Sequence, residues 1–220
     1  MYDLFSFDIE TAGEYSDFIS FSMNDQRGSG LFEGRYERYN WKSTYETVND
    51  AYLDNAGIIS TYGKIICISF GYISENGKIQ TKSYYNDSEY NILLNFNNML
   101  KKIEKKNFKL TGYRILYFDI PWLLHKMHKY GITPADIILL YDKKPWETRI
   151  KDLYDDWKGK FAWSYNLDEV TYELGIKSPK DKMSGKEVHK YYWDGKIEEI
   201  KKYCEKDVIS VLNCYEKIFV

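Results

Sequence analysis

Four acidic residues, far apart in the sequence, form the pattern with the clearest chemical meaning. Asp8 and Glu10 lie near the N-terminus, Asp119 lies mid-chain, and Asp207 lies near the C-terminus. If a fold gathered them without cations, each like-charge pair at ~4 Å would cost up to about 4 kcal/mol at an effective dielectric constant near 20. Oxygen ligands suit Mg²⁺ or Mn²⁺. The four carboxylates are therefore predicted to share a divalent metal site.

The elements that carry these acids can be predicted from the residue pattern. Residues 2–10 alternate as a strand, which places Asp8 and Glu10 on one face and Phe5, Phe7 and Ile9 on the other. The last helix is predicted over 196–218. Asp207 lies at the edge of its apolar stripe, one turn after Tyr203. An acid on the core side of a helix is costly unless it is paired or bound to metal.

The remaining elements indicate an α/β fold, a mixed sheet with helices packed on it. Residues 12–58 are polar, and we expect a mobile loop followed by a short helix within 42–56. A capping box of Asn86 and Glu89 is predicted to start a helix. The other expected strands are 63–73, its hairpin partner 78–85, 108–113 and 148–153, and the other expected helices are 121–130, 166–174 and 185–193, the last after a Ser184–Glu187 capping box.

Composition excludes several classes of protein. Of 220 residues, 44% are hydrophobic and 18% aromatic, which argues against intrinsic disorder. A net charge of −2 is not typical of a protein that coats nucleic acid. Three cysteines without CxxC spacing argue against a disulfide scaffold or zinc site and favour reduced thiols in the cytoplasm. No apolar run is long enough to predict a membrane span.

Three short motifs carry a resemblance to a known family. These are Asp8-x-Glu10, Phe118-Asp119-Ile120-Pro121 and Tyr203-x-x-x-Asp207. In this order, they resemble the DEDD superfamily of 3′–5′ exonucleases, in its tyrosine subclass (DEDDy), close to the proofreading domains of family B DNA polymerases. The resemblance implies a ribonuclease-H-like fold. It covers nearly the whole chain, which indicates a single exonuclease domain over 1–220 with a long loop or insertion at about 12–58.

The resemblance also implies roles for the acids. Asp8, Glu10, Asp119 and Asp207 would hold two Mg²⁺ or Mn²⁺ ions, and the phenol of Tyr203 would orient the attacking water. The expected substrate is the 3′ end of a single-stranded nucleic acid, DNA rather than RNA, and the expected product is a nucleoside monophosphate. A separate DNA polymerase or replication protein is an expected partner.

Three further residues are candidates for substrate binding. Thr11 follows the first motif directly, and its backbone or hydroxyl could contact the terminal nucleotide. Arg114 stands where the family commonly has Asn, and it either clamps a phosphate or points to solvent. Lys180 belongs to a loosely basic stretch that could follow a single-stranded backbone, although an ordinary solvated surface is the favoured interpretation; its members are Lys177, Lys180, Lys182, Lys186 and Lys190.

Rival interpretations remain at this point. The chain could be an exonuclease-like scaffold that binds without cleaving, or an RNA-processing nuclease of the same fold. His125 and His128 lie three residues apart with no third imidazole nearby in the sequence, so we expect surface or packing roles. The basic run between Lys101 and Lys106 is interpreted as a solvated helix end.

Overall fold

A five-stranded mixed sheet forms the centre of the molecule. The computed structural model describes residues 3–140, 143–144, 147–160, 163–178 and 183–219. The strands are β1 (Leu4–Gly13), β2 (Gly63–Ile73), β3 (Ile79–Tyr85), β4 (Lys109–Gly112) and β5 (Ile150–Asp152). Their order across the sheet is β3-β2-β1-β4-β5. The β1–β2 and β2–β3 pairs are antiparallel, and the β1–β4 and β4–β5 pairs are parallel.

Helices cover both faces of this sheet. They are α1 (Phe18–Asn24), α2 (Gln26–Arg38), α3 (Val48–Asn55), α4 (Glu89–Glu104), α5 (Asp119–Lys129), α6 (Leu153–Lys158), α7 (Leu167–Glu173), α8 (Val188–Trp193) and α9 (Ile197–Phe219). Short 3₁₀ turns occupy Trp41–Ser43, Asp136–Ile138 and Gly185–Glu187. Among the described residues, no helix is long and apolar enough to cross a membrane.

Successive side chains of β1 point to opposite faces of the sheet, and each face packs against different helices. Phe5, Phe7 and Ile9 are buried in the core formed with α4 and α5. Leu4 and Ala12 face the opposite side, in the cores formed with α9. Asp8 and Glu10 share this second face, as the sequence predicted, because side chains alternate along a strand. The site is therefore built between β1 and α9.

A β-bulge interrupts the pairing of β1 and β2 directly after Glu10. Glu10 is paired with Cys67, but Thr11 is paired with Ile65, so Ile66 is an extra residue on β2. Ile66 and Cys67 are consecutive and both belong to the core on the α9 side. The bulge thus lets two neighbouring residues of β2 support the face that carries the acids.

The expectation of a mobile loop in the first part of 12–58 is wrong. β1 continues to Gly13, and α1 and α2 fill most of the segment, with side-chain caps from Asp17 and Asp25. The expected short helix in 42–56 is confirmed as α3. The helices close over an aromatic core whose buried members are Phe21, Phe32, Tyr36, Ala51, Tyr52, Ala56 and Tyr62. Aromatic packing, rather than a clean helical stripe, holds this segment together.

The predicted capping box at Asn86 is also wrong. Ser88 caps α4, and Asn86 takes a left-handed conformation with φ of 55°. The Glu89 carboxylate instead accepts hydrogen bonds from the Ile65 amide at 2.7 Å and the Tyr130 hydroxyl at 2.9 Å. Glu89 therefore ties α4 to β2 and to the end of α5.

Most other sequence-predicted elements are present within a few residues of their expected ends. The hairpin of β2 and β3, the helix that follows it (α4) and the capping box of Ser184 and Glu187 are confirmed. Helix α6 was not predicted, because its six residues are too few to show a helical period. His125 and His128 are exposed on α5, as expected.

Replacing Phe32 by Ala tests whether the segment between β1 and β2 is packed. Phe32 is fully buried against the rings of Phe18, Tyr52 and Tyr62, so its loss should lower the free energy of unfolding by roughly 3–5 kcal/mol. Leu31→Ala is the matched control, since Leu31 is 55% exposed and should cost under about 0.5 kcal/mol. Urea unfolding measures both, and equal small effects would contradict the packed core.

Candidate active site

Asp8 and Glu10 on β1 form the centre of an acidic cluster. Their carboxylate oxygens and the Cys204 sulfur lie within 4.8 Å of one another. Glu10 is buried and Asp8 is half-buried. Cys204 comes from α9, and its thiol donates a hydrogen bond to the Asp8 carbonyl oxygen at 3.3 Å. This bond fixes α9 against β1 at the level of the two acids.

The Asp119 side chain approaches the acidic cluster along the edge of β1 that pairs with β4. β4 pairs with β1 only from Leu4 to Ser6, so no strand in the described ranges pairs with this edge of β1 beyond Ser6. The Ile9 amide, between the two acids, donates to the Asp119 carboxylate at 3.0 Å. Asp119 is the first residue of α5 and is buried. A side chain therefore takes the position that a neighbouring strand would otherwise occupy.

Tyr203 and Asp207 lie one turn apart on α9, on the side of the helix that faces the acidic cluster. The Tyr203 hydroxyl is hydrogen-bonded to the Asp207 carboxylate, and both side chains are half-buried. The Asp207 charge also raises the pKa of Asp8, after burial and the charge of Asp119. All five residues predicted for chemistry thus converge on one region.

Burial and mutual repulsion dominate the electrostatics of this region. Burial is the main cause that raises the pKa values of Asp8 and Glu10 well above the usual range, and the neighbouring acids add to it. Burial also raises the pKa of Asp119 to about 8, even though the Ile9 amide bond opposes the shift. The cluster is therefore unfavourable in its fully ionised form.

The donor set fits a hard divalent cation. Among the described residues, none donates a hydrogen bond to the Glu10 carboxylate, which leaves its oxygens available to a cation. Cys204 is close, but burial and the nearby acids raise the pKa of its thiol, which keeps it a poor ligand. The oxygens of Asp8 and Glu10 could hold the metal, with Asp119 and Asp207 beside them.

Two cavities flank the carboxylates. The first, of about 700 Å³, is lined by Asp8, Tyr203 and Asp207 together with Arg114, Ser164 and Asn166. The second, of about 580 Å³, is lined by Glu10, Thr11 and Phe118 together with Leu53, Asn55 and Ile58. Gly185 borders both cavities. A chain-like ligand could pass from one to the other along the acids.

Arg114 lies in the first cavity and is held in place. Its guanidinium donates to the Ser164 hydroxyl and stacks 4.2 Å from the ring centre of Tyr154. Its backbone is left-handed, with φ of 61°. Arg114 both borders the cavity and is exposed to solvent, so its position is compatible with either of the two alternatives left by the sequence.

Asp152 holds the loop that carries Arg114, and sequence analysis missed it. Its buried carboxylate accepts from the amides of Arg114 at 2.8 Å, Leu116 at 3.0 Å and Tyr154 at 3.0 Å. One acid therefore caps α6 and shapes the connection between β4 and Asp119. The available signal was an Asp at the end of a predicted strand, where a helix cap is common.

Gly112 allows this connection to run close to β1. A side chain there would place its first carbon 2.7 Å from the Phe7 carbonyl oxygen and 2.2 Å from the Ile115 side chain. Any larger residue would push the β4–α5 loop, and Asp119 with it, away from β1.

Of the other two candidates for substrate binding, the structure describes Thr11 but not Lys180. Thr11 borders the second cavity, but its hydroxyl donates to the Gly57 carbonyl oxygen, so its backbone is the part left for a ligand. Lys180 and Lys182 lie outside the described residues. Lys186, of the same basic stretch, lines the second cavity.

His189 on α8 is a second residue that sequence analysis missed. It accepts a hydrogen bond from the Gly13 amide at 3.0 Å through Nδ1, and its Nε2 contacts the Ser16 carbonyl oxygen at 3.0 Å. Burial lowers the pKa of its imidazole. A neutral ring with the proton on Nε2 satisfies both contacts, and it anchors α8 to the end of β1. A buried histidine within a predicted helix was the only sequence signal.

The sequence from residue 58 to residue 219 matches a family described as "Predicted 3'-5' exonuclease related to the exonuclease domain of PolB". The match covers well over half of the chain. The protein belongs to this exonuclease family. The relationship that the motifs predicted is confirmed at this level, and the tyrosine subclass stays a prediction. Most of the segment between β1 and β2, including α1 to α3, precedes the matched range.

A solved structure supports the fold of this exonuclease-family chain. The family B DNA polymerase from the hyperthermophilic archaeon Pyrobaculum calidifontis superimposes with a TM-score of 0.63 at 15% identity. The alignment covers 98% of this chain and 24% of the polymerase, so the chain spans about a quarter of the polymerase. The predicted ribonuclease-H-like α/β fold is confirmed. A comparison with curated protein sequences gave no match.

The acidic cluster predicts a stability that depends on pH and on divalent metal. The acids have higher pKa values folded than unfolded, so without metal the free energy of unfolding should fall as pH rises from about 4 to about 8. Mn²⁺ should raise the melting temperature, and more at about pH 8 than at about pH 5.5, because protons compete for the same oxygens.

Thermal melts of matched variants check this linkage. Glu10→Gln should reduce the gain from Mn²⁺, whereas Glu33→Gln, on the exposed face of α2, should keep it. Equal Mn²⁺ responses of the two variants would show that the ion binds elsewhere.

Proposed function

We propose that this protein is a 3′–5′ exonuclease that removes nucleoside monophosphates from the 3′ end of single-stranded nucleic acid, with DNA as the preferred substrate. The observation that carries the proposal is the pair of half-buried Asp8 and buried Glu10, flanked by Asp119, Asp207 and two cavities, with no donor to the Glu10 carboxylate in the described part of the chain. The reaction adds water to the terminal phosphodiester and releases the 3′-oxygen of the shortened strand.

The acids supply the ligands for two Mg²⁺ or Mn²⁺ ions. Asp8, Glu10, Asp119 and Asp207 would hold them, and bound metal would offset charge on the phosphate and lower the pKa of a bound water. The low exposure of Glu10 and Asp119 limits competing water at the site. The hydrogen bond from Ile9 orients Asp119, so its second oxygen can turn toward the cluster.

Tyr203 acts in this proposal by orientation rather than as a base. Burial, followed by the charges of Asp207, Glu10 and Asp8, raises the pKa of its phenol well above the usual range, so the proton stays on the oxygen near neutral pH. The hydroxyl donates to Asp207, and its lone pairs are left to accept from the attacking water. Tyr203 would hold that water in line with the bond that breaks.

The cavities suit different parts of a nucleotide strand. The cavity at Asp8 offers the Arg114 guanidinium and the polar side chains of Ser164 and Asn166, which match phosphate oxygens. The cavity at Glu10 offers the apolar surfaces of Leu53, Ile58 and Phe118, which match a base or sugar. Arg114 and the Thr11 backbone are thus proposed to bind substrate, and Lys180 is proposed to follow the strand.

The proposal also covers the enzyme subclass, the domain organisation, the biological role and the compartment. The order of motifs supports the tyrosine subclass and a single exonuclease domain over 1–220. A role in proofreading, with a separate DNA polymerase as partner, is drawn from the relationship to the polymerase B exonuclease domain. Three free, buried cysteines support a reducing compartment such as the cytoplasm.

Asp8→Asn tests the assignment of the site. The variant should lose metal-dependent degradation of a 3′-labelled single strand by about 10³-fold or more, since it removes a charge that the metal needs. Asp3→Asn is the matched control, directly before the same strand and with an exposed side chain, and it should keep full activity. Degradation of the free-ended strand by both variants at the wild-type rate would refute the site.

Two further readouts of the same assay separate the rival functions. A strand with a blocked 3′ end should resist cleavage, and a DNA substrate should be preferred to RNA of the same sequence. A wild-type protein that binds Mn²⁺ and single strands yet releases no nucleotide would support the scaffold alternative.

Tyr203→Phe should reduce kcat by a smaller factor than Asp8→Asn, because the acids remain and only the orienting hydroxyl is lost. Burst and steady-state rates on the same oligonucleotide measure this difference. A rate unchanged from wild type would remove Tyr203 from the mechanism.

Arg114→Ala should raise KM for single-stranded DNA more than it lowers kcat, because the guanidinium is proposed to bind phosphate away from the bond that breaks. Removal of a charged hydrogen-bond donor of this kind costs roughly 1.5–3 kcal/mol of binding. Arg27→Ala, exposed on α2, is the control. An unchanged KM at low salt would contradict a phosphate contact.

A further inference from the structure

An apolar groove lies where the end of α4 meets the sheet. Its floor and walls are formed by Phe5, Tyr72, Met99, Ile103 and Phe108, and its volume is about 540 Å³. We call it the α4 groove. It lies on the face of β1 that carries Phe5, whereas Asp8 and Glu10 lie on the face toward α9. The groove is therefore separate from the active site.

Aromatic rings give the α4 groove a defined shape. The Phe108 ring meets Phe5 edge-on at 6.3 Å between ring centres and Tyr72 at 6.1 Å. Tyr72 is 39% exposed, although it lies on a central strand of the sheet. For apolar surface of this kind, burial against another apolar group is more favourable than exposure to water. A ligand that covers it therefore gains free energy.

Three lysines surround this apolar floor. Lys102, Lys105 and Lys106 line the groove, and none of them forms an ion pair with a residue in the described part of the chain. The nearby Glu104 forms no ion pair with them in the described part of the chain, and its carboxylate accepts a hydrogen bond from the Ile137 amide at 2.5 Å. The helix dipole explains why lysines favour the end of α4, but it does not explain an open apolar floor between them.

We propose that the α4 groove binds a partner protein through an acidic segment that carries one large apolar side chain. The apolar side chain fills the space between Phe5, Tyr72 and Phe108, and the acidic residues pair with the lysines. Charge complementarity selects this occupant: a local cluster of unpaired positive charge surrounds an apolar floor on a protein whose net charge is −2.

The floor of the groove disfavours a nucleic acid. Apart from the Tyr72 hydroxyl, its side chains offer no hydrogen-bonding atom, so the polar edge of a base would lose its bonds to water without replacement. A leucine, phenylalanine or tryptophan side chain carries little or no such cost. The groove volume falls within the range of small-ligand sites and accepts one such side chain with room for its neighbours.

Fluorescence anisotropy with labelled peptides tests the proposal on the full chain. The probes are short peptides of aspartate and glutamate that end in phenylalanine, leucine or tryptophan, and a control peptide in which serine replaces the apolar residue. At least one apolar-anchored peptide should bind with a Kd below about 1 mM, and the serine peptide should bind at least about tenfold more weakly. Failure of all three anchored peptides overturns the proposal.

Matched charge variants place the peptide in the groove. The double variant Lys102→Glu with Lys106→Glu should weaken binding by about tenfold or more. The control double variant Lys78→Glu with Lys217→Glu makes the same charge change at exposed lysines outside the groove and should keep binding within about twofold. Equal losses in both variants mean general electrostatic attraction and overturn the proposal.

Two further measurements test the apolar contact with Tyr72 and the alternative that the groove binds nucleic acid. Tyr72→Ala should weaken the anchored peptide while it leaves the serine peptide unchanged. A single-stranded oligonucleotide should not displace the anchored peptide, and displacement would assign the groove to nucleic acid instead. Exonuclease activity should be the same in all groove variants, so failure here is distinct from failure of the proposed function.

Discussion

The hydrogen bond from the Ile9 amide to the Asp119 carboxylate determines the geometry of the whole site. It joins the strand that carries two of the acids to the helix that begins with the third. The bond exists because β4 stops short and leaves the edge of β1 open at this level. Gly112 permits the close approach of the connection, and Asp152 fixes its course with three backbone hydrogen bonds.

The rest of the fold supports an arrangement that is costly in itself. Buried acids that repel one another favour their protonated forms, and the two cores on either side of β1 supply the stability that keeps them together. The apolar stripe of α9 packs across the sheet, so Tyr203 and Asp207 at its edge have little freedom to move away. A divalent metal ion bound among these acids would stabilise the fold by relieving this repulsion.

The regular parts of the molecule could be predicted from the sequence because they follow simple periods. The alternation of β1 and the long stripe of α9 placed Asp8, Glu10, Tyr203 and Asp207 correctly relative to the core. Helices α1 and α2 could not be predicted, because the core that they share with α3 is made largely of tyrosine and phenylalanine rings, which surfaces and loops also carry. Asp152 and His189 were missed for a different reason: both act through backbone amides and carbonyls, which no side-chain motif records.

The segment that contains α1 to α3 connects two residues that are paired with each other at the ends of β1 and β2. Gly13 at the end of β1 lies opposite Gly63 at the start of β2, and an extended ladder with a single shift holds the two strands in register behind them. Changes in length within the segment are therefore absorbed beyond this closure and need not slide one strand along the other. These helices could be lengthened, shortened or replaced during evolution without a change in the spacing of the acidic residues. The surface beside the acidic cluster could diversify in this way.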